Sequence, residues 1–224
     1  IQKNDFQKTP LIRPRDLLKK VAVCPQALVV FDSFDWNSVL AKTQPVPESR
    51  RNLKFCSLQT IRVNNQPITL AGPGTSAPVA AMILEVLIAF GTRRIIGVGS
   101  CGSLDERLRI GHFVIPQNAI PDEGTSYHYP LPGKKIKASP RIFKRIQSLC
   151  ELKAQTWVCG KVWTTDAPFR ETPPKIKKAK HQKAIAVEME LSAFLKVGAF
   201  YGVEVGALLV VSDELFARQW NPGY

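Results

Sequence analysis

The chain has 224 residues, 45% hydrophobic and 22% charged, the balance of a soluble globular protein with enough length for one large core. Its 31 basic and 18 acidic residues leave a formal charge of +13, but much of the excess gathers in Lys134-Lys135-Ile136-Lys137 and in residues 175–183. No aromatics interleave there to stack on bases, so a solvated basic surface is expected, with neither nucleic acid nor membrane as partner; no apolar run approaches the roughly 20 residues of a membrane helix.

In chain order, residues 1–20 read as a lead-in with a short helical stretch over 15–20 and no basic-then-apolar leader pattern. A short, uniformly apolar run predicts a buried strand over 27–31. Residues 43–51, with Pro45 and Pro47, predict a loop. Two strand-like segments, 53–63 and 67–71, flank Asn64-Asn65 and predict a hairpin. Apolar residues near a 3.6-residue repeat predict a helix over 77–90, with Ser76 as its N-cap and Pro78 in the first turn.

Strands are predicted over 94–99 and 113–115, and an amphipathic helix over 139–152. Strand material at 156–159 and 161–164 is expected to be broken by Gly160. After a basic loop and short helix come a helix over 189–201 and a final strand over 205–211. Strands alternating with helices, without an internal repeat or a dividing linker, imply a single α/β domain over 1–224.

Three stretches carry chemistry. Gly72-Pro73-Gly74-Thr75-Ser76 joins a strand to a helix start, where backbone N–H groups can face an anion, although an ordinary tight turn fits equally. Gly97-Val98-Gly99-Ser100-Cys101-Gly102-Ser103 would let a ligand approach the backbone closely. Cys101 has no adjoining base and reads as a small buried hydrophobe before a nucleophile. In Val187-Glu188-Met189-Glu190 two carboxylates stand at a helix start, and Val211-Ser212-Asp213 puts a third at the end of a buried strand, as a ligand-facing acid or as a cap for a following helix. Five cysteines without C-x-x-C spacing and three histidines without metal spacing argue for no metal, no disulfide framework and a reducing cytoplasm.

In this order and spacing, Ile95-Ile96-Gly97-Val98-Gly99-Ser100-Cys101-Gly102, Val187-Glu188-Met189-Glu190 and Val211-Ser212-Asp213 resemble the purine nucleoside phosphorylase and uridine phosphorylase superfamily, which includes the methylthioadenosine/adenosylhomocysteine nucleosidases. Trp163-Thr164-Thr165-Asp166-Ala167-Pro168-Phe169-Arg170-Glu171-Thr172 is similar to its base-contacting segment. The resemblance implies a three-layer α/β/α fold with a distorted, barrel-like mixed sheet, assembled as a dimer, trimer or hexamer. It implies cofactor-free cleavage of the N-glycosidic bond of a purine nucleoside by phosphorolysis, with inorganic phosphate as co-substrate. Hydrolysis, or a non-catalytic nucleoside-binding or storage role, are the alternatives. By resemblance Glu190 holds the ribose hydroxyls, Met189 packs on the sugar and Glu188 supports the pocket. Cys101, Gly102 and Trp163 face the base, Ser100 and Gly74 contact phosphate or water, and Asp213 protonates the purine.

The chain departs from this pattern in three places. Gly97 stands where the phosphorylases carry a phosphate-gripping arginine, for which Arg170, Arg50 or Arg51 would have to substitute. The first strand leads into Asp32-Ser33-Phe34-Asp35 in place of a Gly-Asp-Pro-x-Arg loop; the nucleosidases carry a water-activating glutamate there. Trp220-Asn221-Pro222-Gly223-Tyr224 comes before the C-terminal helix that usually completes this fold, so that helix is expected to be missing here.

Overall fold

The computed structural model describes residues 10–18, 21–131, 136–217 and 219–223. The expected lead-in over 1–9, the helix end at 19–20 and Lys134-Lys135 lie outside them. Among the described residues eleven strands form one sheet: β1 (Gln26–Val30), β2 (Gln44–Pro45), β3 (Arg51–Asn52), β4 (Ser57–Val63), β5 (Gln66–Gly72), β6 (Arg94–Ser103), β7 (Phe113–Asp122), β8 (Trp157–Thr165), β9 (Ala184–Glu188), β10 (Glu204–Glu214) and β11 (Asn221–Pro222). Six α-helices accompany them: α1 (Pro14–Leu17), α2 (Ser33–Ala41), α3 (Ala77–Ala89), α4 (Pro140–Leu152), α5 (Pro173–His181) and α6 (Leu191–Phe200).

Part of the sheet closes on itself. β6 runs parallel to β10, β10 pairs antiparallel with β7, β7 and β8 are parallel, β8 and β9 are parallel, and β9 returns antiparallel to β6. The result is a five-stranded mixed barrel, with β1, β5 and β4 extending from β6 as an open wing.

Successive residues of a strand face opposite ways, and the helices read that alternation. Ile95, Ala207 and Leu209 share a core with Ile83 of α3 and Phe194 of α6, while Ile96 and Leu208 pack with Ile142 and Ile146 of α4. Helices therefore cover both faces of the sheet, the α/β/α layering expected.

Several elements differ from the sequence reading. β6 runs on to Ser103, so the glycine cluster lies inside a strand and not after one. Gly160 does not break β8; a Cβ there would sit 2.7 Å from Ile185 Cδ1, so the glycine lets β9 press against the strand. α2 and β9 were not anticipated. Asp32 starts α2, its Oδ1 accepting the Asp35 N–H at 2.7 Å. The hairpin turn is as read: Asn64 and Asn65 both take positive φ, 48° and 62°, the pair a tight two-residue turn requires.

Candidate active site

The carboxyl ends of β1, β6 and β10 and the start of α6 converge on one cavity of about 590 Å³. Its wall includes Ser100, Cys101, Gly102, Glu188, Met189, Glu190 and Asp213, seven of the site residues anticipated. With them stand Asp32, the nearest match to the nucleosidases' water-activating glutamate, Thr75 of the Gly72–Ser76 loop, Phe169 and Glu171 of the segment similar to the base-contacting one, and Trp220, which no motif contained.

Glu188 ends β9 and is tied down from three directions. Its Oε2 accepts the backbone N–H groups of Glu190 and Leu191, both at 2.7 Å, and Oε1 accepts the Thr164 hydroxyl at 2.6 Å. It thus serves the exposed amides at the start of α6, the role that makes a carboxylate favourable at a helix N-terminus. Glu190 points the other way: Oε1 accepts the Ser76 N–H at 2.6 Å and Oε2 the Met189 N–H at 3.3 Å. Ser76 stands at the N-cap position of α3, but with φ of 85° and no hydroxyl cap; its amide goes across to Glu190. Both carboxyls are buried, 6% exposed each, and burial pushes both upward from the ordinary glutamate value while these donors pull the other way.

Asp213 is placed by an irregularity. β10 pairs Val211 with Cys101 and then Asp213 with Gly102, so Ser212 is the extra residue of a bulge that turns Asp213 into the cavity. Its Oδ1 accepts the Ser212 hydroxyl at 2.8 Å and its Oδ2 the Trp220 indole N–H at 2.9 Å. Gly102 makes the room: a Cβ there would lie 3.2 Å from Asp213 Oδ2 and collide with Leu215. The strand continues through Glu214, so Asp213 caps no helix. Glu171, close by on the cavity wall, is pushed up to about 7, first by burial and then by the charge of Asp213.

At the opposite end Asp32 Oδ2 accepts the Ser100 hydroxyl at 3.3 Å. Asp35 behind it is pushed up to about 6 by burial and by Asp32. A side chain at Gly97 would run into the Phe31 ring and come within 3.0 Å of Phe194 Cε1, so the position of the expected arginine is filled by an aromatic pair packed edge to face at 5.1 Å.

Two anticipated residues lie elsewhere. Trp163 is 3% exposed and packs with Leu104, Ala179, Ala184 and Val187, its indole N–H on Asp122 Oδ2 at 3.3 Å. The aromatic ring at the cavity mouth belongs instead to Phe169, 99% exposed on the short turn Pro168–Arg170. Gly74 commits its N–H to the Val30 carbonyl at 2.9 Å, which leaves its amide engaged within the protein; the neighbouring Thr75 lines the cavity. Arg170, Arg50 and Arg51 are likewise not among the lining residues. Cys101 is fully buried, and burial with the charges of Glu188 and Asp213 holds it as a thiol, which removes the nucleophile reading. Among the described residues no cluster could hold a metal and no helix is long and apolar enough to cross a membrane.

Comparison with known proteins gives a consistent picture. The sequence profile of the phosphorylase superfamily matches residues 27–221. A DeoD-type purine nucleoside phosphorylase of Bacillus cereus is 26% identical over 155 residues, 68% of this chain, which spans 66% of that relative's length. Among solved structures, uridine phosphorylase from Vibrio fischeri superposes with a TM-score of 0.77 at 23% identity, covering 84% of this chain and 79% of its own. The AMP nucleosidase from Bacteroides thetaiotaomicron superposes with a TM-score of 0.70 at 24% identity, covering 84% and 80%. These similarities match the barrel and its helical layers described above.

Proposed function

The chain belongs to the phosphorylase superfamily, and from that premise we propose that it cleaves the N-glycosidic bond of a purine nucleoside in this cavity, with water as the acceptor. The sugar lies on Met189 with its hydroxyls donating to Glu190, whose oxygens are already aimed by Ser76 and Met189 and keep further lone pairs. The base faces Gly102, Asp213 and the Phe169 ring. As the C–N bond breaks, its electron pair leaves with the base, and Asp213, which enters this step as the protonated acid, supplies the proton that base requires. Positive charge growing on the sugar meets the field of the buried carboxylates.

The observation that carries the choice of water is the far end of the cavity. Asp32, held by Ser100, stands where an acceptor would approach the sugar, and Phe31 occupies the space an arginine would need. Five carboxyls, Asp32, Glu171, Glu188, Glu190 and Asp213, line the cavity, and among its described lining residues there is no lysine or arginine. A phosphate dianion would find no cationic side chain to pair with among them; a neutral water needs none, and Asp32 can take its proton as the new C–O bond forms. Phosphorolysis keeps support from the Ser100 and Thr75 hydroxyls at the same end and from the phosphorylase relative. The same reading expects a homo-oligomer, which sedimentation tests directly.

The deciding experiment follows base release from inosine, adenosine, methylthioadenosine and uridine with and without phosphate. Release from purine nucleosides at the same rate in both conditions is expected. Strict dependence on phosphate would replace water by phosphate as acceptor. No release from any of them, with nucleoside binding retained, would leave a binding protein.

A further inference from the structure

Trp220 is absent from every motif considered above, yet its ring lines the cavity and its indole N–H donates to Asp213 Oδ2 at 2.9 Å. The chain takes pains to bring it there. After β10 it turns back, and β11 returns antiparallel, Pro222 opposite Asp213 and Asn221 opposite Glu214. Asn221 Nδ2 donates to Glu214 Oε2 at 3.0 Å, and Arg109 pairs with the same carboxylate at 2.9 Å. Gly223 closes the strap against the backbone: a side chain there would strike the Ser212 carbonyl and sit 2.9 Å from Ile110 Cγ2. The anchors on either side of the bulge therefore set where the indole can point.

The ring is 55% exposed, so it is not a member of the buried core. With Ser212 Oγ on Oδ1, Trp220 completes a two-point hold on the carboxyl plane of Asp213, and Oδ2 lies between the indole and the space left open by Gly102.

We propose that Trp220 is the positioning residue for Asp213, its indole N–H fixing the plane of the carboxyl so that it faces the purine base at that end. The catalytic half of this rests on Asp213 acting as the acid in glycosidic cleavage; the positioning half does not.

The test reads both halves separately. In a 1H–15N spectrum of the whole chain the Trp220 indole signal is identified by its loss in W220F. It is expected to shift in D213N, and again in wild type on addition of adenine. An indole signal indifferent to D213N overturns the proposal whether or not the protein turns over; a shifting signal supports it even if no nucleoside is cleaved, an outcome that would sink only the cleavage reading. In turnover, W220F keeps an aromatic face and loses the N–H, so kcat is expected to fall about tenfold, the worth of one hydrogen bond, with KM nearly unchanged. In a D213N background the same substitution is expected to add nothing. An unchanged kcat in W220F, or losses that simply multiply, would show that the indole does not act through Asp213.

Discussion

The two ends of the cavity are built differently. At the end proposed for the sugar, the sugar end, Glu188 and Glu190 are buried and accept the backbone N–H groups of Ser76, Met189, Glu190 and Leu191 and the Thr164 hydroxyl. At the end proposed for the base, the base end, Asp213 is held by two side chains, Ser212 and Trp220, and Phe169, which lines the same cavity, stands almost fully in solvent. The amides of the sugar end lie at the starts of α3 and α6, which pack in the core, so that end is formed before a ligand arrives. The base end rests on a turn and a strap, and would settle only around the ring it receives.

That contrast predicts where substitutions act. The largest effect is expected at the base end and on chemistry alone. D213N removes the transferable proton while an amide of the same shape remains, so kcat for purine release should fall about 10²- to 10⁴-fold. Thermal unfolding should move little, because the group is held by side chains near the surface. Turnover within a few-fold of wild type would remove Asp213 from the mechanism.

At the sugar end the expected damage is to stability first. E188A leaves the amides of Glu190 and Leu191 and the Thr164 hydroxyl without their acceptor in a buried site. Leaving one buried polar group unpaired costs about 1–3 kcal/mol, and water admitted to the new space offsets part of the sum, so a loss of about 3 kcal/mol is expected. Urea unfolding checks it: an unchanged midpoint would mean that this end is no more prebuilt than the other.

Legibility in the sequence follows the same division. β6 and β10 are apolar runs with glycines where helices or ligands come close, and Glu188 and Glu190 stand where a helix start has amides to offer. The closure of the barrel was named only through resemblance, since the antiparallel return of β9 to β6 pairs residues more than 80 positions apart (Gly102 with Val187). Trp163 was placed on the base because its segment carries an aromatic, but strand alternation turns that ring into the core beside Leu104. Phe169, six residues on, lies in a turn with no periodicity to say which way it faces. Gly97 was legible as a missing arginine; that Phe31 fills the space depends on two strands meeting.

A smaller effect is expected from F169A. The exposed ring supports nothing in the fold, so stability should stay within about 0.5 kcal/mol of wild type. Its face is the aromatic surface offered to the base, and stacking of this kind is worth about 1 kcal/mol, so KM should rise about fivefold with kcat nearly kept. A variant with unchanged KM for purine nucleosides would leave the base end without its aromatic partner.

The last expected effect is on how stability varies with pH, and a substitution at Glu190 isolates one buried pair within it. Burial raises the folded-state pKa of Glu188 and Glu190 above the ordinary 4.5, so in a window starting there and reaching toward neutrality the folded chain binds more protons than the unfolded one. Stability must then fall as pH rises through that window, since the unfolding free energy drops with pH wherever the native state is the more protonated. Carboxylates held down by arginines, such as Asp105 beside Arg107, act in the opposite sense but below it. E190Q removes one titrating group from the buried pair and keeps its shape. The decline in unfolding free energy between about pH 5 and about pH 8 should therefore shrink. Equal slopes in wild type and E190Q would mean that the Ser76 and Met189 amides outweigh burial and hold Glu190 as an ordinary carboxylate. In that case the sugar end is fully charged before any nucleoside enters.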